Sequence, residues 1–324
     1  MNQKIGIIGS GIIASSLAVL TTGHGLESHV LVRSQEAKAR LMKRFEEHYA
    51  LLVKKGILTP EGRAVCESYL HVTEHYEDLS ECSIFLEAVT EDRTVKISVF
   101  EQIAKACPKV KMICSASSAI TPDMMLAGQE NNEWICRIAD RLIIAHPFNP
   151  AHIVPYFELC ASARTREGLM EEAVSFLRFL DREPVVLKKP TPGFIGNRLQ
   201  FALFREAMQL VEEGICDFED IDRALQYSFC PRYTSIGIFE HMDYAGLDLD
   251  AKNCKLLFPI LSDRKDAPEV MTSRLNAGKT GTAAGEGFYD WRSRDMEAYA
   301  ERVNEPFWKF INWKFPTVPD TEQG

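Results

Sequence analysis

Apolar residues in this chain gather into short runs separated by amphipathic stretches, and the alternation begins at once. Ile5-Gly6-Ile7-Ile8 reads as a buried strand, residues 15–20 as a helix after a glycine turn, and Val30-Leu31-Val32 as a second strand, a β-α-β unit long enough for a parallel crossover. Residues 36–55 are charged and helical in period; Gly56 and Thr59-Pro60 interrupt them before residues 61–69 resume, which predicts a helical-hairpin arm projecting from the sheet. Further strand runs at Ile84-Phe85-Leu86, Met112-Ile113-Cys114, Arg141 to Ala145 and Pro184 to Leu187 are spaced by helical stretches. The pattern predicts an α/β doubly wound sheet, parallel and covered on both faces.

The pattern breaks at Lys188-Lys189-Pro190-Thr191-Pro192-Gly193, and the rest of the chain is helical in period over 194–214, 218–227 and 249–261. At 324 residues the chain exceeds the size at which one core keeps growing. Two domains are expected: an α/β domain over 1–188 and an all-α domain over 189–324.

Composition narrows the setting. The net charge of −9 gives no electrostatic support for binding nucleic acid or an anionic membrane, and no apolar run is long enough to cross a bilayer. The nine cysteines are scattered, with no cysteine/histidine spacing suited to zinc; they read as reduced thiols, and no metal is expected. The N-terminus reads as a strand and turn rather than a signal peptide, so a cytoplasmic location is expected.

Candidate chemistry starts at Gly9-Ser10-Gly11-Ile12-Ile13-Ala14, a Gly-x-Gly-x-x-Gly/Ala turn between the first strand and the first helix. The first glycine makes the turn, the second lets backbone approach a pyrophosphate, and the small last residue packs helix on strand. This predicts a Rossmann-type dinucleotide site for NAD(H) or NADP(H). NAD sites of this kind carry an acidic residue after the second strand, whereas here Arg33-Ser34 occupies that place, which tilts the expectation toward the 2′-phosphate of NADP(H). A second candidate is His146 in Ile143-Ile144-Ala145-His146-Pro147-Phe148-Asn149-Pro150, read as a histidine on a loop stiffened by two prolines. Glu158 lies twelve positions later and meets the imidazole if the chain doubles back. Read alone, Ser118 is a helix cap or turn residue, and Glu91 and Lys96 form a solvated helix start.

Together these segments resemble the 3-hydroxyacyl-CoA dehydrogenase family. The likeness runs through the glycine turn, Leu86-Glu87-Ala88-Val89-Thr90-Glu91 with Lys96, Ser115-Ala116-Ser117-Ser118, His146 to Pro150 with Glu158, Pro192-Gly193-Phe194-Ile195-Gly196-Asn197-Arg198, and Gly285-Glu286-Gly287-Phe288-Tyr289. The resemblance implies a helical second domain through which members form homodimers. It makes His146 the acid–base residue, Glu158 its orienting partner, and Ser118 and Asn197 donors to substrate oxygens. Glu91, Lys96 and Asn149 become cofactor contacts, with Lys279 a further candidate.

The chain departs from the family at Ala116, where an asparagine is usual. Its substrate is read as a small molecule, either a 3-hydroxyacyl-CoA or a 3-hydroxy acid. Lys38, Arg40, Lys43 and Arg44 on the arm are candidates for holding CoA. Arg232 in Cys230-Pro231-Arg232-Tyr233 resembles instead the gulonate and carnitine dehydrogenase branch, where it would grip a free carboxylate. A non-catalytic dinucleotide-binding protein is the third reading.

Overall fold

The computed structural model describes residues 3–311, and the outermost residues of both expected domains, 1–2 and 312–324, lie outside this range. The chain forms two compact units, one running to Ile195 together with the segment from Glu301 onward, the other Gly196–Ala300. The sequence expectation set a division at 188/189. Residues 189–195 go with the first unit because Phe194 is fully buried in its core and the Ile195 N–H donates to Glu158 Oε1 at 2.8 Å. Phe194 has a positive φ of 49°, so the helix expected from 194 begins only at Gly196. Glu301, in turn, pairs with Lys54 at 2.6 Å.

In the first unit, chain order is β1 (Ile5–Ile8), α1 (Ile12–Gly23), β2 (Ser28–Leu31), α2 (Gln35–Lys54), α3 (Pro60–Glu67), β3 (Leu70–Thr73), β4 (Ile84–Glu87) and α4 (Arg93–Ala106). Next come β5 (Met112–Ser115), α5 (Pro122–Leu126), α6 (Glu133–Ile138), β6 (Leu142–Pro147), β7 (Tyr156–Cys160), α7 (Leu169–Phe179) and β8 (Glu183–Val186). The sheet order is β3-β2-β1-β4-β5-β6-β7-β8. Neighbours are parallel except β6 and β7, which are antiparallel.

Strand parity sorts side chains onto two cores. Ile84 and Leu86 join the face covered by α1, α2 and α7, while Phe85 joins the face covered by α4 and α6; Met112 and Cys114 oppose Ile113 in the same way. Gly6 leaves room for Phe85, whose ring would lie 2.5 Å from a Cβ at that position. The helical hairpin is present as α2 and α3, but it does not stand off the sheet. Ala37, Leu41, Phe45, Tyr49 and Leu52 line one buried stripe of α2, and Tyr49 Oη bonds Thr22 Oγ1 of α1 at 2.7 Å.

The second unit contains α8 (Gly196–Glu212), α9 (Phe218–Tyr227), α10 (Ile238–Ala245), α11 (Leu247–Leu257) and α12 (Glu269–Asn276). The helix expected over 249–261 ends at Leu257, since Pro259 has no N–H to continue it. None of these five helices carries a buried residue.

Candidate active site

The glycine turn closes the gap between β1 and α1 at the point where the sheet order reverses, β2 lying on one side of β1 and β4 on the other. Gly9 has φ of +131°, and a Cβ there would meet the Ala88 carbonyl oxygen at 2.6 Å, so only glycine fits. Gly11 is the N-cap of α1 and faces open space, with nothing within 4 Å of a Cβ placed on it. No side chain caps this helix end and no acidic residue sits in its first turn. Its N–H groups and helix dipole are left for an anion. Ser10 and Ile13 are half-buried, Ile12 is exposed, and Ala14 is packed into the core. Arg44 of α2 donates to the Ser10 carbonyl at 3.3 Å. These features fit the pyrophosphate of a dinucleotide.

Past β2, Arg33 is exposed, whereas Ser34 is the N-cap of α2 and accepts the Ala37 N–H at 3.3 Å. Of the two residues expected to read the 2′ position, Ser34 therefore has a structural task of its own.

Beside the glycine turn, the ends of β4 and β5 carry a polar network that sequence reasoning read as a solvated helix start. Lys96 is 1% exposed and Glu87 fully buried; Lys96 Nζ lies 2.9 and 3.1 Å from the two Glu87 oxygens. Glu87 also accepts from Ser115 Oγ at 2.5 Å and the Val89 N–H at 2.8 Å. Glu91 takes the other side of Lys96, with Oε2 at 3.4 Å. Its Oε1 gathers the Ser117 hydroxyl at 2.5 Å and the N–H groups of Ser118, Ala119 and Ile120 at 3.1, 3.0 and 3.4 Å. Burial alone would raise the Glu91 pKa, but the Ser117 and Ala119 hydrogen bonds and the Lys96 charge hold it below the ordinary carboxylate value. Glu91 thus fixes the turn that presents the exposed Ser118. The missed signal was Glu87, a charged residue closing an apolar strand.

His146 lies within β6, not on the loop after it, because β7 pairs with β6 through Pro147. The antiparallel register sets His146 opposite Glu158. Imidazole Nδ1 is 2.9 Å from Glu158 Oε2, and the side chains are 7% and 0% exposed. Glu158 Oε1 accepts from Tyr156 Oη at 3.1 Å and from the Ile195 N–H at 2.8 Å. Phe148 and Phe194 flank the imidazole with ring centroids 5.5 and 5.4 Å away. Burial, then the Glu158 charge, push the Tyr156 hydroxyl well above its ordinary pKa. Glu158 engages the imidazole through Nδ1.

Asn149 is exposed on the loop after β6. A second buried imidazole, unread from the sequence, stands further along this loop. His152 Nδ1 lies 2.6 Å from Ser16 Oγ of α1, and its ring is 4.3 Å from that of His48 on α2. The remaining candidates belong to the second unit. Asn197 is half-buried in the first turn of α8, Arg232 is exposed and paired with His241, and Lys279 is paired with Glu286.

The described cysteines are all free, and burial pushes Cys66 and Cys160 up to about 11 and Cys82, Cys107 and Cys114 up to about 12. No helix among the described residues is long and apolar enough to cross a membrane.

Residues 4–190 match the model for the 3-hydroxyacyl-CoA dehydrogenase NAD binding domain, and residues 193–291 that for the 3-hydroxyacyl-CoA dehydrogenase C-terminal domain. The chain is similar to a 5-formyl-3-hydroxy-2-methylpyridine 4-carboxylate 5-dehydrogenase of Mesorhizobium japonicum, 27% identical across 94% of this chain and 96% of that one. A crystal structure of a dehydrogenase of that name, described as an NAD+-dependent dismutase, superposes with a TM-score of 0.83 at 27% identity, covering 95% and 97% of the two chains. An L-carnitine dehydrogenase of Burkholderia mallei is 28% identical over 87% of this chain and 84% of its own. The (S)-3-hydroxybutyryl-CoA dehydrogenase structure from Ralstonia eutropha gives a TM-score of 0.71 at 25% identity, covering 90% and 99%.

Proposed function

Because the chain belongs to the 3-hydroxyacyl-CoA dehydrogenase family, we propose that it is an NAD(H)-dependent dehydrogenase that interconverts the hydroxyl and oxo forms of a 3-hydroxyacyl-CoA or 3-hydroxy acid. The observation that carries this reading is the buried His146–Glu158 pair, with Nδ1 and Oε2 2.9 Å apart. Gly9 to Ile13 would hold NAD(H), with Glu91 and Asn149 as further contacts, and the cofactor would supply the acceptor or donor of hydride; Lys96, 1% exposed between Glu87 and Glu91, would act only by holding Glu91 in place.

In oxidation, His146 Nε2 takes the hydroxyl proton as the carbon loses its hydride and the C–O bond becomes a carbonyl. Glu158 holds the tautomer with Nδ1–H toward itself and stabilises the imidazolium that forms. In reduction, the same nitrogen returns the proton to the oxygen. Ser118 and Asn197 are assigned as donors to the substrate oxygens, where negative charge builds up during hydride transfer.

Arg33 is the residue assigned to cofactor choice. Its exposed guanidinium at the end of β2 suits a 2′-phosphate, so NADP(H) is accepted beside NAD(H). Arg33→Asp is the test: loss of NADPH use with NADH use retained supports the assignment, and equal loss of both removes it.

A second reading, dehydrogenation of a free hydroxy acid, is favoured by what the arm's basic residues do. Arg44 is engaged with the Ser10 carbonyl, and Lys43 lies 3.9 Å from Glu47. Arg232 is the candidate for a free carboxylate. Reduction of acetoacetyl-CoA beside acetoacetate, each with NADH and with NADPH, separates these readings.

The active form is proposed to be a homodimer built through the second unit. Helices without a single buried residue expose Phe201 (64%) and Tyr244 (90%), and the turn after α11 exposes Phe258 (67%) and Ile260 (74%), an apolar load that a second copy would cover. A monomer in light scattering at micromolar concentration would refute this.

A further inference from the structure

His29 and His71 are register partners on the parallel strands β2 and β3, and their rings stack with centroids 4.7 Å apart at 27°. Both Nε2 atoms converge on one carboxylate oxygen, Glu27 Oε1, at 3.0 Å from His29 and 3.7 Å from His71. The ligand atoms of the three residues all lie within 4.8 Å of one another. A tetrahedral ion with bonds of about 2.0–2.1 Å spaces its ligands by about 3.3 Å, a value these two distances bracket.

We propose that Glu27, His29 and His71 form a binding site for a divalent transition metal of the Zn2+ class, which pins the edge strand β3 to β2. Two imidazoles and one carboxylate make a donor set suited to zinc and its neighbours rather than to calcium or magnesium, which take oxygen ligands. The strand register sets the two residues side by side, and their rings stack without help from the metal. Side-chain exposures of 15% for His29, 50% for His71 and 36% for Glu27 leave the site open to solvent for entry and for a water as fourth ligand. The site lies toward the N-terminal ends of β2 and β3, away from the glycine turn at the C-terminal end of β1.

Lys4 is the built-in competitor. Its Nζ sits 2.6 Å from the same Glu27 oxygen, and together with His29 it holds the Glu27 carboxyl below its ordinary pKa. Metal binding displaces this ammonium, which also feels the charge of Glu81. Removing the Lys4 charge should therefore strengthen binding, whereas removing an imidazole should weaken it.

The test is titration of the chelator-treated full chain with ZnCl2 in competition with a chromophoric chelator, paired with absorption spectra in CoCl2. A single equivalent of zinc is expected, with affinity falling by about tenfold or more in His71→Ala and in His29→Ala. Affinity should rise in Lys4→Gln, and zinc should raise the melting temperature of the wild type but not of His71→Ala. The cobalt spectrum should show tetrahedral bands without thiolate charge transfer. No zinc uptake, uptake unchanged in His71→Ala, or a thiolate band from the cysteines would each overturn the proposal.

Discussion

His146 and Glu158 face each other across the antiparallel pair β6 and β7, with imidazole Nδ1 2.9 Å from carboxylate Oε2. Glu158→Gln keeps the shape and removes the charge that would stabilise an imidazolium. Turnover should fall by about 10²–10⁴-fold, while NADH affinity, read by fluorescence, stays close to wild type. A parallel loss of NADH binding would assign Glu158 to the fold rather than to proton transfer.

Tyr156 donates to the other Glu158 oxygen at 3.1 Å and packs its ring against Phe148, with centroids 5.5 Å apart. Tyr156→Phe retains the ring and deletes one hydrogen bond to a charged carboxylate, worth about 1.5–3 kcal/mol. As a positioning residue it should lower kcat by roughly tenfold or more with KM little changed. A rise in KM at constant kcat would place Tyr156 in substrate binding instead.

The two glycines of the turn should separate fold from binding. Gly9→Ala drives a methyl into the Ala88 carbonyl and should lower both melting temperature and NADH affinity. Gly11→Ala meets nothing within 4 Å, so the melting temperature should hold while NADH affinity drops by about tenfold or more. Unchanged NADH affinity in Gly11→Ala would move the pyrophosphate elsewhere.

The His48–His152 pair sets an acid limit on stability. Burial, then the Arg44 charge, lower the His48 pKa to about 4, and burial, then His48 and Arg182, hold His152 well below its ordinary value. A folded-state pKa below the unfolded value of 6.5 means that the unfolded chain takes up protons the folded chain refuses. Stability is therefore full above pH 6.5 and is lost as the pH falls from there toward 4, by about 1.4 kcal/mol per pH unit for His48. Melting temperatures from pH 7 to pH 4 should fall less steeply in His48→Gln. Equal slopes would mean that other groups govern acid unfolding.

Much of the fold could be read from periodicity, because β1, β4, β5 and β6 are buried on both faces and appear as short apolar runs. β3 and β7 could not be read this way. Leu70 to Thr73 is a half-exposed edge strand, and Tyr156-Phe157-Glu158 interrupts its apolar pattern with the carboxylate that faces His146. Missing β7 is what placed His146 on a loop. The Gly9 turn was legible because its spacing is dictated by backbone geometry. The Glu87–Lys96–Glu91 network was not, since nothing local in the sequence tells a buried lysine from a solvated one. The His48–His152 contact was equally hidden, because its partners are brought together only by tertiary packing.

Proton transfer by His146 is read out by single-turnover reduction in His146→Gln. Acetoacetyl-CoA and acetoacetate serve as substrates, with NADH binding measured on the same sample. A loss of at least about 10²-fold in the rate of NADH oxidation is expected, with NADH affinity preserved. A His146→Gln enzyme that oxidises NADH at the wild-type rate would contradict it.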